Sequence, residues 1–260
     1  MKRILGLSIA LVALLILVGC EGEVTLVAPD VTYVVSTSNH GGTLVLSWTE
    51  VTDADGYYIY RDGVLVDTID DATTTTYSAT VPAQLYEVSA FAGEDESATD
   101  QIDCEPVVTN LIIYALSDPD TLHPSGLSFN ANGSAVGMSV VAANYDDLDY
   151  IFDDVNFTSL TLASPNAYTP EYNSEKNMSV DTDSTDFDAI VIANAPGVYS
   201  TQTQLAGNTV FAFFMDQDDD NWDTDSDYFG KIYVESIVGT AITINVAYQP
   251  ITGLRWCVTD

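Results

Sequence analysis

Short apolar runs that alternate every second residue, cut apart by Gly, Asp, Asn and Pro, recur along almost the whole chain. In "TLVLSWTEV", Leu44, Leu46 and Trp48 share one face. In "AITINVAYQ", Ile242, Ile244, Val246 and Tyr248 share one face, and Thr243 and Asn245 the other. A period of two is the signature of a strand with one buried side, so the latter run predicts an edge or sandwich strand. Beyond residue 20 no segment keeps a 3.6-residue period with helix caps. No unit of 20 to 50 residues repeats, which argues against a solenoid. The runs are rich in Val, Ile, Thr, Tyr and Phe, the residues that suit a pleated, half-buried surface. The expected fold class is all-β. With 47% hydrophobic residues over 260 positions the chain can bury a core, and its length suits one large domain or two ordinary ones.

Residues 30–106 read as a first unit. "GYYIYRDGVLVDTI" predicts two strands joined at Asp62-Gly63, a dipeptide suited to a tight hairpin because both positions tolerate positive φ. "TTTTYSA" and "QLYEVSAFAG" add further strands. Trp48 on the second strand, "GYYIYRDG" on the third and "VPAQLYEVSAF" on the sixth resemble a fibronectin type III domain. The resemblance implies a β-sandwich. It implies that Tyr86 is a tyrosine corner whose hydroxyl bonds back to the backbone. It also implies that Trp48, Tyr58, Tyr60 and Tyr86 are mostly core rather than a platform for stacking a ligand. The chain has no RGD, so integrin binding does not follow.

Residues 108–260 read as a second antiparallel β domain, with strands at "NLIIYAL", "AVGMSVVAA", "LDYIF", "AIVIANA", "TVFAFF", "YFGKIYVESI" and "AITINVAYQ". The closing run "GNTVFAFFMD…DYFGKIYVESIVGTAITINVAYQP", with "GLSFN" and "DLDYIF" before it, is similar to the C-terminal hairpins of HmuY-type haem-binding lipoproteins of Bacteroidota. Members of that family ligate haem through a pair of His or Met side chains. Here the soft ligands are His123, beside Pro124, and Met138, Met178 and Met215. No pair among them matches, so haem is not expected, and His123 is expected to be an exposed loop residue.

The first 19 residues carry Lys2 and Arg3 followed by an apolar run from Ile4 to Val18, the build of a signal peptide. Fifteen residues are short of the roughly 20 that span a bilayer as a helix. "LVGC" resembles the lipobox of bacterial lipoproteins, which implies that Cys20 is lipidated and heads the mature chain. Residues 20–29 would then be a tether, with the protein anchored to the membrane of the cell envelope, at the outer membrane or cell surface. That compartment permits disulfides. Cys104 and Cys257 lack CxxC or histidine neighbours, so a structural disulfide between them is the expectation, with two buried thiols as the alternative.

Six basic residues against 39 acidic ones leave a net charge of -33. Such a surface repels phosphate backbones and excludes nucleic acid as a partner. It leaves a protein or glycan ligand, or cations, as the options. No GxSxG, HExxH, P-loop or GxGxxG occurs, and the two histidines, His40 and His123, fall in different units. No catalytic residues are expected. The reading is a non-catalytic, surface-exposed binding or adhesion lipoprotein. The alternatives are a nutrient-capture lipoprotein for haem or a glycan, and then a glycan hydrolase.

"MDQDDDNWDTDSD" places seven aspartates in thirteen residues. Numbered from Asp216, carboxylates fall at positions 1, 3, 5 and 12: Asp216, Asp218, Asp220 and Asp227. Asn221 takes the position where calcium loops turn sharply, and Trp222 would offer its carbonyl. This spacing resembles the calcium loop of EF-hand and dockerin-like sequences and predicts Ca²⁺ (Ca2+) on those four aspartates. Its flanks read as strands, so a solvated acidic hairpin is the alternative.

Overall fold

The computed structural model describes residues 25–168, 176–217 and 222–259. The signal peptide, Cys20 and the metal candidates Asp218 and Asp220 lie outside the described residues. The fold is all-β and its strands pair antiparallel. The strands of the first unit are β1 (Val31–Val35), β2 (Leu44–Trp48), β3 (Gly56–Arg61), β4 (Val64–Ile69), β5 (Thr76–Ala79), β6 (Leu85–Ala92), β7 (Asp95–Glu96) and β8 (Asp100–Asp103). Those of the second are β9 (Val107–Tyr114), β10 (Gly126–Phe129), β11 (Ala135–Met138), β12 (Tyr150–Asp153), β13 (Thr161–Ala163), β14 (Lys176–Ser184), β15 (Gln202–Gln204), β16 (Thr209–Asp216), β17 (Tyr228–Val238) and β18 (Ala241–Tyr248).

In the first unit, a sheet in the order β1-β2-β5 accompanies one in the order β4-β3-β6, with β7 and β8 also paired to β6. Leu44, Leu46 and Trp48 are buried together, as their alternation predicts. Asp62 and Gly63 both adopt positive φ, 50° and 73°, and turn β3 into β4. The Asp62 carboxylate then accepts the backbone N–H of Gln84 and Leu85 at 3.0 and 2.9 Å, tying the hairpin to β6. The Tyr86 hydroxyl donates to the Val81 carbonyl at 2.7 Å, closing the expected corner.

The side of β3 differs from expectation. Tyr57 and Ile59 are fully buried, whereas Tyr58 and Tyr60 face outward and are half-buried. Parity decides this, because one residue of slip exchanges the two faces of a strand. Tyr57 suits the interior because its hydroxyl accepts the Val51 N–H and donates to the Ala72 carbonyl. Tyr58 stacks on Phe91 instead, and Tyr60 donates to Glu96.

The second unit packs two five-stranded sheets, ordered β11-β10-β12-β13-β15 and β14-β16-β17-β18-β9. β18 lies between β17 and β9, so it is an interior sandwich strand and not an edge. The run "TVFAFF" in β16 is buried on both faces. Phe211 and Phe213 enter the sandwich core, while Ala212 and Phe214 face a further cluster with Phe229, Ala193 and Cys257. Gly230 is required opposite Phe213: a Cβ there would sit 2.2 Å from the ring.

"AIVIANA" is not a strand; it forms only an isolated bridge, Ile192 to Trp256. Its backbone is committed elsewhere. Ala193 N–H donates to Arg255, and Val191 accepts from Cys257. The buried Lys231 ammonium donates to the carbonyls of Phe187 and Ile190 at 2.6 and 3.0 Å and to Thr259 Oγ1 at 2.9 Å. An ammonium taken out of water needs such acceptors on several sides, and they draw this loop and the chain's end over the outer face of β17.

The boundary near residue 107 separates the strands but not the cores. Ile251, Leu254 and Trp256, at the end of the second unit, are part of the first unit's core. Trp256 Nε1 donates to the Gly42 carbonyl at 3.2 Å. Arg255 donates to the carbonyls of Asn39, His40 and Ala193. Gln249 Nε2 bridges the carbonyls of Cys104 and Trp256 at 3.0 and 2.8 Å.

The expected disulfide is absent. Cys104 and Cys257 are free thiols, both fully buried. Cys104 lies in the first core, and Cys257 in the cluster outside β16. The tail is extended here, so neighbouring side chains point to opposite sides. Trp256 takes the side of the first core, and Cys257 turns away from it. The Gln249 amide joins the two segments where a disulfide was expected. Burial pushes both thiols up to about 12, so neither is a thiolate.

Candidate functional site

The acidic hairpin joins β16 to β17. Asp216, closing β16, and Asp227, just before β17, are both buried. Asp227 Oδ1 accepts the Gln217 N–H at 3.2 Å, and Oδ2 accepts the Asp223 N–H at 2.8 Å. Its carbonyl accepts Gly253 N–H at 2.7 Å. Burial raises the Asp227 carboxyl to about 7; Asp216 and Asp223 add to the rise and the two backbone donors oppose it. Asp227 therefore closes the loop from inside, with both oxygens on backbone N–H groups. The Trp222 ring rests edge-on against His40 of the first unit, centroids 5.3 Å apart. Among the described residues, no group of three or more His, Cys, Asp or Glu side chains is placed to hold a metal ion.

A cleft of about 300 Å³ opens beside this hairpin. Its residues come from one end of the sandwich, where antiparallel strands bring their termini together. Phe129 ends β10, Met215 lies near the end of β16, Tyr228 begins β17, Tyr248 ends β18, and Asp149 precedes β12. Register supports this, with Met215 opposite Tyr228 and Gly230 opposite Tyr248. Tyr228 stacks on Tyr248 at 5.1 Å, and Phe129 lies against Tyr248 at 4.9 Å. Burial holds the Tyr248 hydroxyl far above the usual phenol range, so it stays a neutral hydrogen-bonding group.

Three carboxylates line the same cleft. Asp149 is buried and committed: it accepts the Phe129 N–H at 2.8 Å and the Asn177 amide at 3.2 Å. Asp146 and Asp147 are exposed, at the end of the 3-10 helix Ala142–Asp147. Among the described residues that line the cleft, none is Lys or Arg. The arrangement offers the half-buried rings of Phe129 and Tyr228 and anionic acceptors, and can bind a ligand that has apolar surface and hydrogen-bond donors or positive charge.

No local sequence pattern assembles this cleft. Tyr248 was legible as the last residue of a buried face, but its meeting with Tyr228, Phe129 and "DDLD" depends on sheet stacking. The haem candidates are dispersed. Met215 belongs to the sandwich core and Met178 packs on the outer cluster. His123 is not a free loop residue: it stacks on Tyr114 at 3.7 Å and its Nδ1 meets Asp118 at 3.0 Å.

No family model matches the chain, and no curated protein matches it in sequence. In structure the chain is similar to a DUF4466 family protein from Parabacteroides merdae ATCC 43184, with a TM-score of 0.40 and 10% sequence identity. The likeness covers 86% of this chain and 98% of that one.

Proposed function

We propose that this chain is a non-catalytic, lipid-anchored binding module of a bacterial cell envelope that takes its ligand in the cleft lined by Phe129, Tyr228, Tyr248 and the segment Asp146 to Asp149. The cleft is the observation that carries this reading. It sets aromatic rings on the ends of sheet strands, where packing holds them in place, beside the exposed carboxylates of Asp146 and Asp147 on the 3-10 helix. Lipidation at Cys20, with residues 20–29 as tether, supplies the anchor in this proposal. The strand order of the first unit and the Tyr86 corner support its reading as a fibronectin type III-like spacer joined rigidly to the binding unit. Calcium enters the same proposal at the acidic hairpin, where the buried Asp216 and Asp227 would be joined by Asp218 and Asp220.

The test is retention of the purified chain on immobilised glycan and protein panels, with Tyr228→Leu as the comparison. Binding lost in Tyr228→Leu without turnover of the bound ligand supports the proposal. Binding unchanged in that variant, or turnover of the ligand, overturns it.

A further inference from the structure

We propose that the cleft selects a positively charged organic group, an ammonium carried on a small sugar or alkyl body. This rests on the reading of the cleft as the ligand site and names the class of ligand. The cleft combines two features that favour a cation over a neutral body of the same shape. Asp146 and Asp147 stand exposed at its rim, while Asp149 is already held by Phe129 and Asn177. Tyr248 is buried under Tyr228 and Phe129, whereas those two rings are only half-buried and line the cleft; the negative quadrupole of such a ring attracts an ammonium brought over its open side.

A bare metal ion is the competing cation, and the geometry disfavours it. Among the described residues no three acidic or histidine side chains converge on one point. The described carboxylates of the cleft all come from the single segment Asp146 to Asp149, while the rings come from three strands; a space of about 300 Å³ lined this way suits a charge carried on a body that also covers the rings. The overall charge of -33 works in the same direction, since it raises the local concentration of cations before any contact forms.

The experiment is calorimetric titration of the purified whole chain at low salt with matched pairs: glucosamine against glucose, and 1,5-diaminopentane against 1-pentanol. Each amine is expected to bind about tenfold tighter than its neutral partner, from two rim carboxylates and one ring face. Asp146→Asn/Asp147→Asn should remove most of that preference without changing the melting temperature, because both residues are exposed. Salt should erode it too. Stronger binding of glucosamine than of the diamine assigns a sugar body, and the reverse assigns an alkyl chain. Equal binding of amine and neutral partner, or amine binding unchanged in the double variant, overturns the inference. So does no heat from either amine up to about 10 mM, where even weak sites report. Equal binding of glucose and glucosamine, lost together in Tyr228→Leu, would remove the cation preference and leave the cleft as the ligand site.

Discussion

Replacing Trp256 by Ala should unfold the first unit although the residue lies at the far end of the second. Trp256 is fully buried, packs 5.7 Å from the Tyr86 ring, and donates to the Gly42 carbonyl. Truncating a buried Trp to Ala costs about 3–5 kcal/mol from lost burial and the cavity left behind. Leaving the Gly42 carbonyl without its donor adds about 1 kcal/mol. The sum, about 4–6 kcal/mol, is comparable to the whole stability expected of a domain of roughly 80 residues. Trp256→Phe keeps most of the volume and should cost about 1–2 kcal/mol. Urea unfolding followed by far-UV circular dichroism measures the loss, and amide exchange locates it. Protection should fall on β2 and β6, while β16, β17 and β18 keep theirs, because Trp256 is not in their core. A cost below about 1 kcal/mol, or exchange rising in β16–β18 alone, would refute the shared core.

Asp227 makes stability depend on pH with an unusual sign. Its carboxyl is raised to about 7 in the fold against about 3.9 unfolded, so the folded state binds the extra proton between those values and stability falls as pH rises through them. The full shift corresponds to about 4 kcal/mol; discounted for screening at the loop's solvent side it should be about 2 kcal/mol. Urea midpoints between pH 4 and 8 should show the decline and Asp227→Asn should flatten it, whereas a parallel slope in the variant argues against Asp227 as its source. Millimolar Ca²⁺ should raise the melting temperature more at pH 8 than at pH 5, since the ion must displace that proton; melting indifferent to Ca²⁺ and EDTA at both pH values returns the hairpin to a plain turn. Without reductant, Ellman's reagent should react with neither Cys104 nor Cys257 in the folded chain and with both after unfolding; a chain whose two thiols stay silent in denaturant carries the disulfide after all.

Much of the strand pattern can be read directly from the chain. Leu44, Leu46 and Trp48 alternate because one face of β2 meets a core. Asp62-Gly63 turns because both residues accept positive φ. Ile242 to Tyr248 keep one buried face because β18 sits over the sandwich interior. These are local properties, carried by backbone sterics and a period of two. Where two faces are both apolar, the chain is silent: nothing in "GYYIY" says which tyrosines turn inward, and parity was settled by the partners waiting for Tyr57's hydroxyl. "AIVIANA" has strand composition, yet the buried Lys231 and the C-terminal tail claim its carbonyls.

The site belongs to the same division. The aspartate-rich hairpin was legible as an acidic loop, since the turn lies between two evident strands. That Asp227 would close it from inside followed only from burial. The cleft draws Phe129, Asp146 to Asp149, Tyr228 and Tyr248 from distant stretches, and the core under the first unit draws Trp256 from beyond residue 250. By itself the sequence determined an all-β chain, its turns, its charge and most of its strands, because those follow from neighbours along the backbone. Only the tertiary structure decided which sheets face each other, where the two thiols point and which rings share a cavity, because these depend on contacts that no local pattern encodes.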